Sequence, residues 1–196
     1  MSQVIQKHAL IAFGSNLPSG DLTPEATIRA ALLTFHEFDL SVQRVSTFYS
    51  TPCFPTGSGP DYVNAAAVLT LRHIHNAEGV LAALHAIEAR FGRKREQRWG
   101  MRTLDIDLLA LGDSVLPDLA TFTHWRDLPA DQQAQRTPSG LILPHPRLQD
   151  RAFVLVPLAD VAPDWVHPVS GKTVAQMLAA LPAADRDAVI ALPATD

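Results

Sequence analysis

The order of the predicted secondary-structure elements indicates an α+β fold. Hydrophobic patterns along the first 111 residues predict a strand, a helix, two strands, a helix and a strand. This order is typical of an antiparallel sheet with helices packed on one face. We therefore predict a ferredoxin-like βαββαβ sheet with a C-terminal extension. One domain spans residues 1–196, with a core at about 6–165 and a C-terminal helix and tail at 166–196.

The first strand and helix are predicted at residues 8–16 and 23–38. HALIAFGSN (8–16) is a short apolar run that ends in a Gly-Ser-Asn turn. The helix begins with Thr23, a suitable N-cap, and Pro24, which is favoured at the first helical position. Apolar residues at helical spacing follow.

Two strands and a second helix come next. Residues 41–51 and 62–73 alternate in polarity and contain many β-branched residues, which indicates strands. The proline- and glycine-rich residues 52–61 between them predict a mobile loop. Residues 76–92 predict a helix with Asn76 as its N-cap.

The remaining elements are less regular. Residues 103–111 predict a strand, and the polar, proline-punctuated residues 117–140 predict an extended loop with at most a short helical turn. Residues 153–158 fit either a strand or a short helix. The chain is predicted to finish with one helix and a tail that frays.

Composition narrows the class of protein. The chain has 196 residues, of which 47% are hydrophobic and 18% charged, as expected for one globular domain. A net charge of −4 argues against binding nucleic acid or an anionic membrane through bulk charge. The single cysteine, Cys53, cannot form an intrachain disulfide, and no apolar run approaches the roughly 20 residues of a membrane span. We expect a monomeric cytoplasmic protein without a signal peptide.

Two aspartates interrupt the apolar strand at its start. Alternation directs Leu104, Ile106 and Leu108 to one side of the strand and Asp105 and Asp107 to the other. Their Cα atoms are about 6.6 Å apart, so both carboxylates can converge on metal ions about 3.5 to 4 Å apart. Such oxygen ligands suit magnesium. A strand with one solvated face gives the same alternation, so the pair alone leaves both interpretations open.

A cluster of basic residues lies directly before this strand. Five of the 16 Lys and Arg residues fall within ten positions: Arg93, Lys94, Arg95, Arg98 and Arg102. Arginine presents a planar fork to phosphate oxygens, and magnesium held by carboxylates neutralises a polyphosphate from the other side. A charge run by itself is more often a solvated surface. Together with the aspartates and Trp99, the cluster favours a polyphosphate site.

A second phosphate-binding candidate is rejected. SGKT at 170–173 matches the end of a G-x-x-x-x-G-K-[ST] loop, but Val166 stands where the first glycine belongs. We predict a turn before a helix there.

Six motifs run through the chain in a fixed order. They are GSNL (14–17), STFYSTP (46–52), DYVNAA (61–66), IEARFGRKR (87–95), RWGMRTLDIDLL (98–109) and LPHPRLQDRAFVLVPL (143–158). Through them, and above all through R-W-G-x-R-T-L-D-[IL]-D, the chain resembles the 6-hydroxymethyl-7,8-dihydropterin pyrophosphokinases of folate biosynthesis. The resemblance implies transfer of diphosphate from ATP to the pterin hydroxymethyl oxygen, release of AMP, two Mg²⁺ ions and a ferredoxin-like fold.

The resemblance also implies roles for individual residues. The metal ligands are Asp105 and Asp107. The catalytic set is Arg93, Arg95, Arg98, Arg102 and Asp107, with the choice between Arg93 and Arg95 open. The ATP-binding set is Glu88, Trp99, Arg102, Leu108, His145 and Arg151. The pterin-binding set is Thr51, Pro52, Phe54, Tyr62, Asn64 and Phe153.

The chemistry of these side chains agrees with the implied roles. A flat heteroaromatic ring suits the faces of Tyr62 and Phe153, and Asn64 offers a ring edge both a donor and an acceptor. The alternative is that both aromatics belong to the core. His145, between two prolines, is expected to be presented by an extended segment rather than packed, with a structural histidine as the alternative. The hydroxyl proton passes either to Asp107 or, if the metal activates the hydroxyl, to no protein base.

The chain departs from the family pattern at several positions, including Met101 and the pair Ser139 and Gly140. Met101 replaces a proline in the basic loop, which should make the open loop less stiff. Ser139 and Gly140 stand where an arginine is usual, so Arg136 or Arg147 is expected to substitute. Two alternatives to the pyrophosphokinase are an RNA-binding module on the same sheet and a metal-dependent phosphohydrolase using the same aspartates.

Overall fold

The computed structural model describes residues 8–53, 57, 59–73, 76–92, 102–129, 132 and 135–194. Within them the strands are β1 (His8–Ser15), β2 (Leu40–Val45), β3 (Tyr49–Thr51), β4 (Tyr62–Leu71), β5 (Asp105–Leu111) and β6 (Ile190–Ala191). The α-helices are α1 (Pro24–Thr34), α2 (Ala77–Arg90), α3 (Leu119–Arg126), α4 (Ala152–Val161), α5 (Val174–Ala180) and α6 (Ala183–Asp187). Short 3-10 helices lie at Phe35–Phe38 and Leu148–Asp150.

The strands form one antiparallel sheet in the order β5-β1-β4-β3-β6, and β2 also pairs with β4. The predicted mixture of an antiparallel sheet and helices is confirmed. The predicted helix starts are also present: the Thr23 hydroxyl accepts from the Ala26 N–H at 3.3 Å, and Asn76 Oδ1 accepts from the Gly79 N–H at 2.9 Å. Thr173 caps α5, so SGKT is a turn before a helix, as predicted.

Helices cover both faces of the sheet, so the prediction of helices on one face is wrong. One core cluster joins α1 and α2 to the sheet through residues such as Ile28, Leu84 and Ile106. A second cluster packs α4 and α5 against the opposite face through residues such as Leu155 and Met177. The physical reason is that the central strands β1 and β4 are buried along most of their length on both sides, which requires a layer on each face.

Two further segments differ from their predicted form. The predicted strand 41–51 is divided into β2 and β3, because Ser46 turns inward and its hydroxyl accepts from the Ala66 N–H at 2.8 Å. Residues 119–126 of the predicted loop form α3, since Asp118 caps its first turn at 2.8 Å and Phe122 is fully buried.

Near the C-terminus, residues 152–161 are helical, which decides between the two predicted forms of that segment. The predicted single helix and fraying tail are also wrong, because α5 and α6 are separate and β6 pairs with β3. In the part of the chain that the structure describes, no helix combines the length and apolar character needed to cross a bilayer.

The second helical layer predicts a stability difference between two leucines. Leu155 on α4 is fully buried, whereas Leu33 on α1 is 76% exposed. We expect Leu155→Ala to lower the free energy of unfolding by about 2 to 5 kcal/mol and Leu33→Ala by less than about 0.5 kcal/mol. Urea unfolding monitored by circular dichroism measures both. Equal small effects would contradict a tightly packed second layer.

Candidate active site

Asp105 and Asp107 begin β5 on the side away from the apolar residues. Leu104, Ile106 and Leu108 are 0%, 3% and 4% exposed and belong to the first core cluster, as the alternation predicted. The aspartates are partly exposed on the other face of the strand. Since β5 pairs with β1, Asp105 lies opposite Gly14 and Asp107 opposite Ala12. The two carboxylates therefore share one surface at an edge of the sheet.

Two arginines from different elements pair with these carboxylates. Arg102, which precedes β5, forms an ion pair with Asp105. Arg151 stands at the N-cap position of α4, and its Nη1 lies 3.9 Å from Asp107 Oδ2. Burial lowers the pKa of Arg151, and the negative charge of Asp107 opposes that shift. The structure thus brings together four of the predicted site residues as two acid–base pairs.

Glu88 holds the backbone between the two aspartates. It is 1% exposed on α2, and its Oε1 accepts a hydrogen bond of 2.7 Å from the N–H of Ile106. The buried carboxylate of Glu88 therefore fixes the backbone of β5 at Ile106, between Asp105 and Asp107. A contact between Glu88 and ATP stays a prediction, as does one with Leu108, whose side chain lies in the core.

Residues 14–17 hold the start of β5, a role that the sequence did not predict. Asn16 Oδ1 accepts from the Arg102 N–H at 2.8 Å, and the Asn16 and Leu17 N–H groups donate to the Arg102 carbonyl at 3.0 and 3.1 Å. The Ser15 hydroxyl donates to the Thr103 carbonyl at 2.6 Å. The GSNL motif was the available signal, but nothing in its composition indicated which strand it contacts.

His145 is partly buried rather than simply presented, which corrects the prediction. Its backbone N–H donates to the Leu109 carbonyl at 2.7 Å, and its imidazole Nδ1 accepts from the backbone N–H of Arg147 at 3.1 Å. Burial lowers the pKa of His145 from 6.5 to about 3, and the charges of Arg151 and Arg147 act in the same direction. The imidazole is therefore neutral, with its proton on Nε2.

Arg147, and not Arg136, lies near this group of residues. Its Nε is 3.6 Å from Asp150 Oδ2, and its charge acts on both His145 and Arg151. Arg136 instead lies over the ring of Trp125, with its guanidinium carbon 5.8 Å from the ring centroid. Of the two arginines, Arg147 lies closer to the other predicted site residues, and its replacement of the missing arginine stays a prediction.

Three of the predicted pterin residues, Thr51, Tyr62 and Asn64, lie on the neighbouring strands β3 and β4. Asn64 on β4 is 4% exposed, and its Nδ2 donates to the hydroxyl of Thr51 on β3 at 2.8 Å. Tyr62 is partly buried, and burial raises the pKa of its hydroxyl. Phe153 is 41% exposed, with the Arg151 guanidinium 5.6 Å from its ring centroid, so Phe153 is not a core aromatic. Pro52 follows β3 at the surface.

Several predicted site residues lie outside the described residues. These are Phe54, Arg93, Arg95, Arg98 and Trp99, together with Met101. Among the residues that the structure does describe, no group of three or more His, Cys, Asp and Glu side chains is arranged to hold a metal ion. The protein groups available to a cation at β5 are the two aspartates. Magnesium sites commonly use one or two carboxylates and complete their coordination with water and phosphate oxygens, so this donor set fits.

A family model named 7,8-dihydro-6-hydroxymethylpterin-pyrophosphokinase (HPPK) matches residues 10–163. The chain belongs to this pyrophosphokinase family. It is 39% identical to the 2-amino-4-hydroxy-6-hydroxymethyldihydropteridine pyrophosphokinase of Synechocystis sp. over 87% of this chain and 74% of that protein. It is 37% identical to the enzyme of the same name from Pseudomonas aeruginosa, over 88% of this chain and 90% of that protein.

Solved structures with the same fold include the Plasmodium falciparum HPPK-DHPS protein. The superposition has a TM-score of 0.61 at 14% sequence identity and covers 91% of this chain. The chain spans 45% of that longer protein. At this identity the likeness concerns the fold alone.

The neutral state of His145 predicts a pH dependence of stability. The unfolded imidazole takes up a proton near pH 6.5 and the folded one only near pH 3, so the unfolded state binds more protons between these values. His145 therefore makes stability fall as the pH is lowered from 7.5 to 5, by on the order of 2 kcal/mol. We expect His145→Asn to reduce this dependence in urea unfolding, while His124→Asn, at an exposed position on α3, leaves it unchanged. Parallel pH profiles for the wild type and His145→Asn would contradict the assignment.

Proposed function

We propose that this pyrophosphokinase transfers diphosphate from ATP to the hydroxymethyl oxygen of 6-hydroxymethyl-7,8-dihydropterin and releases AMP, in folate biosynthesis. The observation that carries the proposal is the site in which Asp105 and Asp107, each paired with an arginine, lie on the sheet across β1 from Asn64. Membership of the family supports the same reaction.

Asp105 and Asp107 are proposed to hold Mg²⁺, with two ions per site. When bound, the metal supplies positive charge that offsets the charge developing on the transferred phosphoryl groups. The hydrogen bond from Ile106 to Glu88 supports this role, because it holds the backbone between the two ligands. Positioning of this kind is the main contribution that a protein makes to phosphoryl transfer.

Basic and neutral donors are proposed to bind the triphosphate. Arg102 and Arg151 pair with the aspartates and are therefore near enough to exchange a carboxylate for a phosphate oxygen. His145 would donate its Nε2–H as a neutral group, which adds a hydrogen bond without adding charge. Arg93 or Arg95, together with Arg98, is proposed to close over the triphosphate, with Trp99, Glu88 and Leu108 on the nucleotide side.

The pterin is proposed to lie between the exposed face of Phe153 and the strands that carry Thr51, Tyr62 and Asn64. The hydrogen bond from Asn64 Nδ2 to Thr51 supports this, because it fixes the amide plane and so the direction of Oδ1. Pro52 and Phe54 would complete the pocket from the loop after β3. Asp107, with its side chain 40% exposed, is the proposed acceptor of the hydroxyl proton.

We also propose a fold subclass, an oligomeric state and a cellular location for the enzyme. The order β5-β1-β4-β2 of the antiparallel strands supports a ferredoxin-like unit, to which β3, β6 and the C-terminal helices are added as an extension. We propose that residues 1–196 act as one domain, as a monomer in the cytoplasm, without nucleic acid or a membrane.

The metal role predicts the behaviour of aspartate variants. With ATP, Mg²⁺ and 6-hydroxymethyl-7,8-dihydropterin, we expect AMP formation to fall by about 100-fold or more in Asp105→Ala and Asp107→Ala, because the metal site is lost. Asp187→Asn, at an exposed position on α6, should match the wild type. Chromatography of AMP, ADP and phosphate measures the outcome.

The same assay separates the reaction classes. Phosphate or ADP formed without pterin would contradict diphosphate transfer and support the phosphohydrolase. Full AMP formation by either alanine variant would contradict the metal role.

The aromatic face predicts a separate kinetic effect. Because Phe153 is exposed, Phe153→Ala should leave stability unchanged but raise KM for the pterin about tenfold through loss of ring contact. KM for ATP should stay within about twofold of the wild-type value. Leu119→Ala, which removes an exposed apolar side chain on α3, should change neither constant. Equal increases in both KM values would contradict a pterin-specific role.

A further inference from the structure

Gly14 is a glycine that neither its own backbone conformation nor the described residues around it require. It lies inside β1, where it is partly exposed between buried neighbours. Gly14 does not have a positive φ, unlike several other glycines of the chain. A Cβ at Gly14 would lie 3.7 Å from Asn64 Oδ1 and 3.9 Å from Tyr62 Cδ1, which are ordinary van der Waals distances. An alanine at position 14 would therefore fit among the residues that the structure describes.

A glycine in a strand interior has an energetic cost. It loses more conformational freedom on folding than alanine does, and it packs no side chain. A strand glycine often marks a bulge, a tight bend, or a site where a ligand or another backbone approaches closely. The register shift between β1 and β5 lies at Leu10 and Ile11 and not at Gly14, so we favour the close approach of a ligand. The open side of Gly14 faces the space beside Asn64 and Tyr62.

The strand register puts Gly14 between the two halves of the proposed site. It pairs with Asn64 of β4 on one side and with Asp105 of β5 on the other. Neighbouring strands are about 4.8 Å apart, so Asp105 and Asn64 are separated by about 10 Å across Gly14. A bicyclic ring held at Asn64 must extend its reacting substituent over Gly14 to approach the carboxylates.

We propose that Gly14 determines substrate specificity by leaving room for the ring edge and hydroxymethyl group of the pterin against β1. This inference rests on the proposed function and adds a steric element to it. A side chain at position 14 lifts the ring away from Asn64 Oδ1 and moves the hydroxymethyl oxygen relative to Asp105. The nucleotide, bound by the arginines and His145, does not use this space.

The test compares Gly14→Ala and Gly14→Val with Gly140→Ala. Gly140 is exposed and does not have a positive φ, and no heavy atom of the described residues lies within 4 Å of an added Cβ, so it controls for the change from glycine to alanine. For each variant, kcat, KM for the pterin, KM for ATP and the urea unfolding midpoint are measured.

We expect Gly14→Ala to raise KM for the pterin by about tenfold and Gly14→Val to lower kcat/KM for the pterin by about 100-fold. KM for ATP should stay within about twofold. The unfolding midpoint of Gly14→Ala should equal or exceed that of the wild type, because alanine restricts the unfolded chain. Gly140→Ala should match the wild type in both kinetic constants.

Three results would overturn the inference. Wild-type kinetics in both Gly14 variants would exclude a steric role while leaving the proposed function intact. A lower unfolding midpoint for Gly14→Ala would mean that the protein itself needs the glycine. A wild-type enzyme that forms no AMP with the pterin would remove the proposed function and this inference with it.

Discussion

The antiparallel pairing of β1 with both β4 and β5 is the constraint on which the site depends. Through this register Asp105, Gly14 and Asn64 lie side by side on three strands, although they are far apart in the sequence. A shift of one residue in either pairing would turn one member of the row to the opposite face, because side chains alternate along a strand. The apolar residues Leu104 and Ile106 oppose such a shift, since it would expose them.

Buried hydrogen bonds then fix the strand that carries the carboxylates. Glu88 accepts from Ile106, and residues 15–17 bind the backbone of Arg102 and Thr103. A buried carboxylate is costly unless it is hydrogen-bonded, so the Glu88 contact favours one position of β5. The strand that carries the acidic groups is thus fixed by Glu88 of α2 and by residues 15–17 at the end of β1.

Charge in the site is balanced before any substrate is considered. Arg102 pairs with Asp105, and Arg151 lies near Asp107, so two like-charged aspartates are tolerated close together. The neighbouring His145 stays neutral because burial and the positive charges of Arg147 and Arg151 all disfavour its protonation. The proposed triphosphate and metal ions would have to compete with these ion pairs, so binding of the nucleotide would require the pairs to rearrange.

The sequence by itself determined the antiparallel sheet, the helix caps at Thr23 and Asn76, and the side of β5 that carries Asp105 and Asp107. These features follow from local periodicity and capping chemistry, which a short segment contains in full. The motifs also indicated the family to which the chain belongs. Only the tertiary structure decided that helices cover both faces of the sheet, that α3 forms around buried Phe122 and that Gly14 lies between Asn64 and Asp105. Those features depend on strand register and on contacts between distant segments, and the free energy of such contacts is not encoded in the pattern of any one segment.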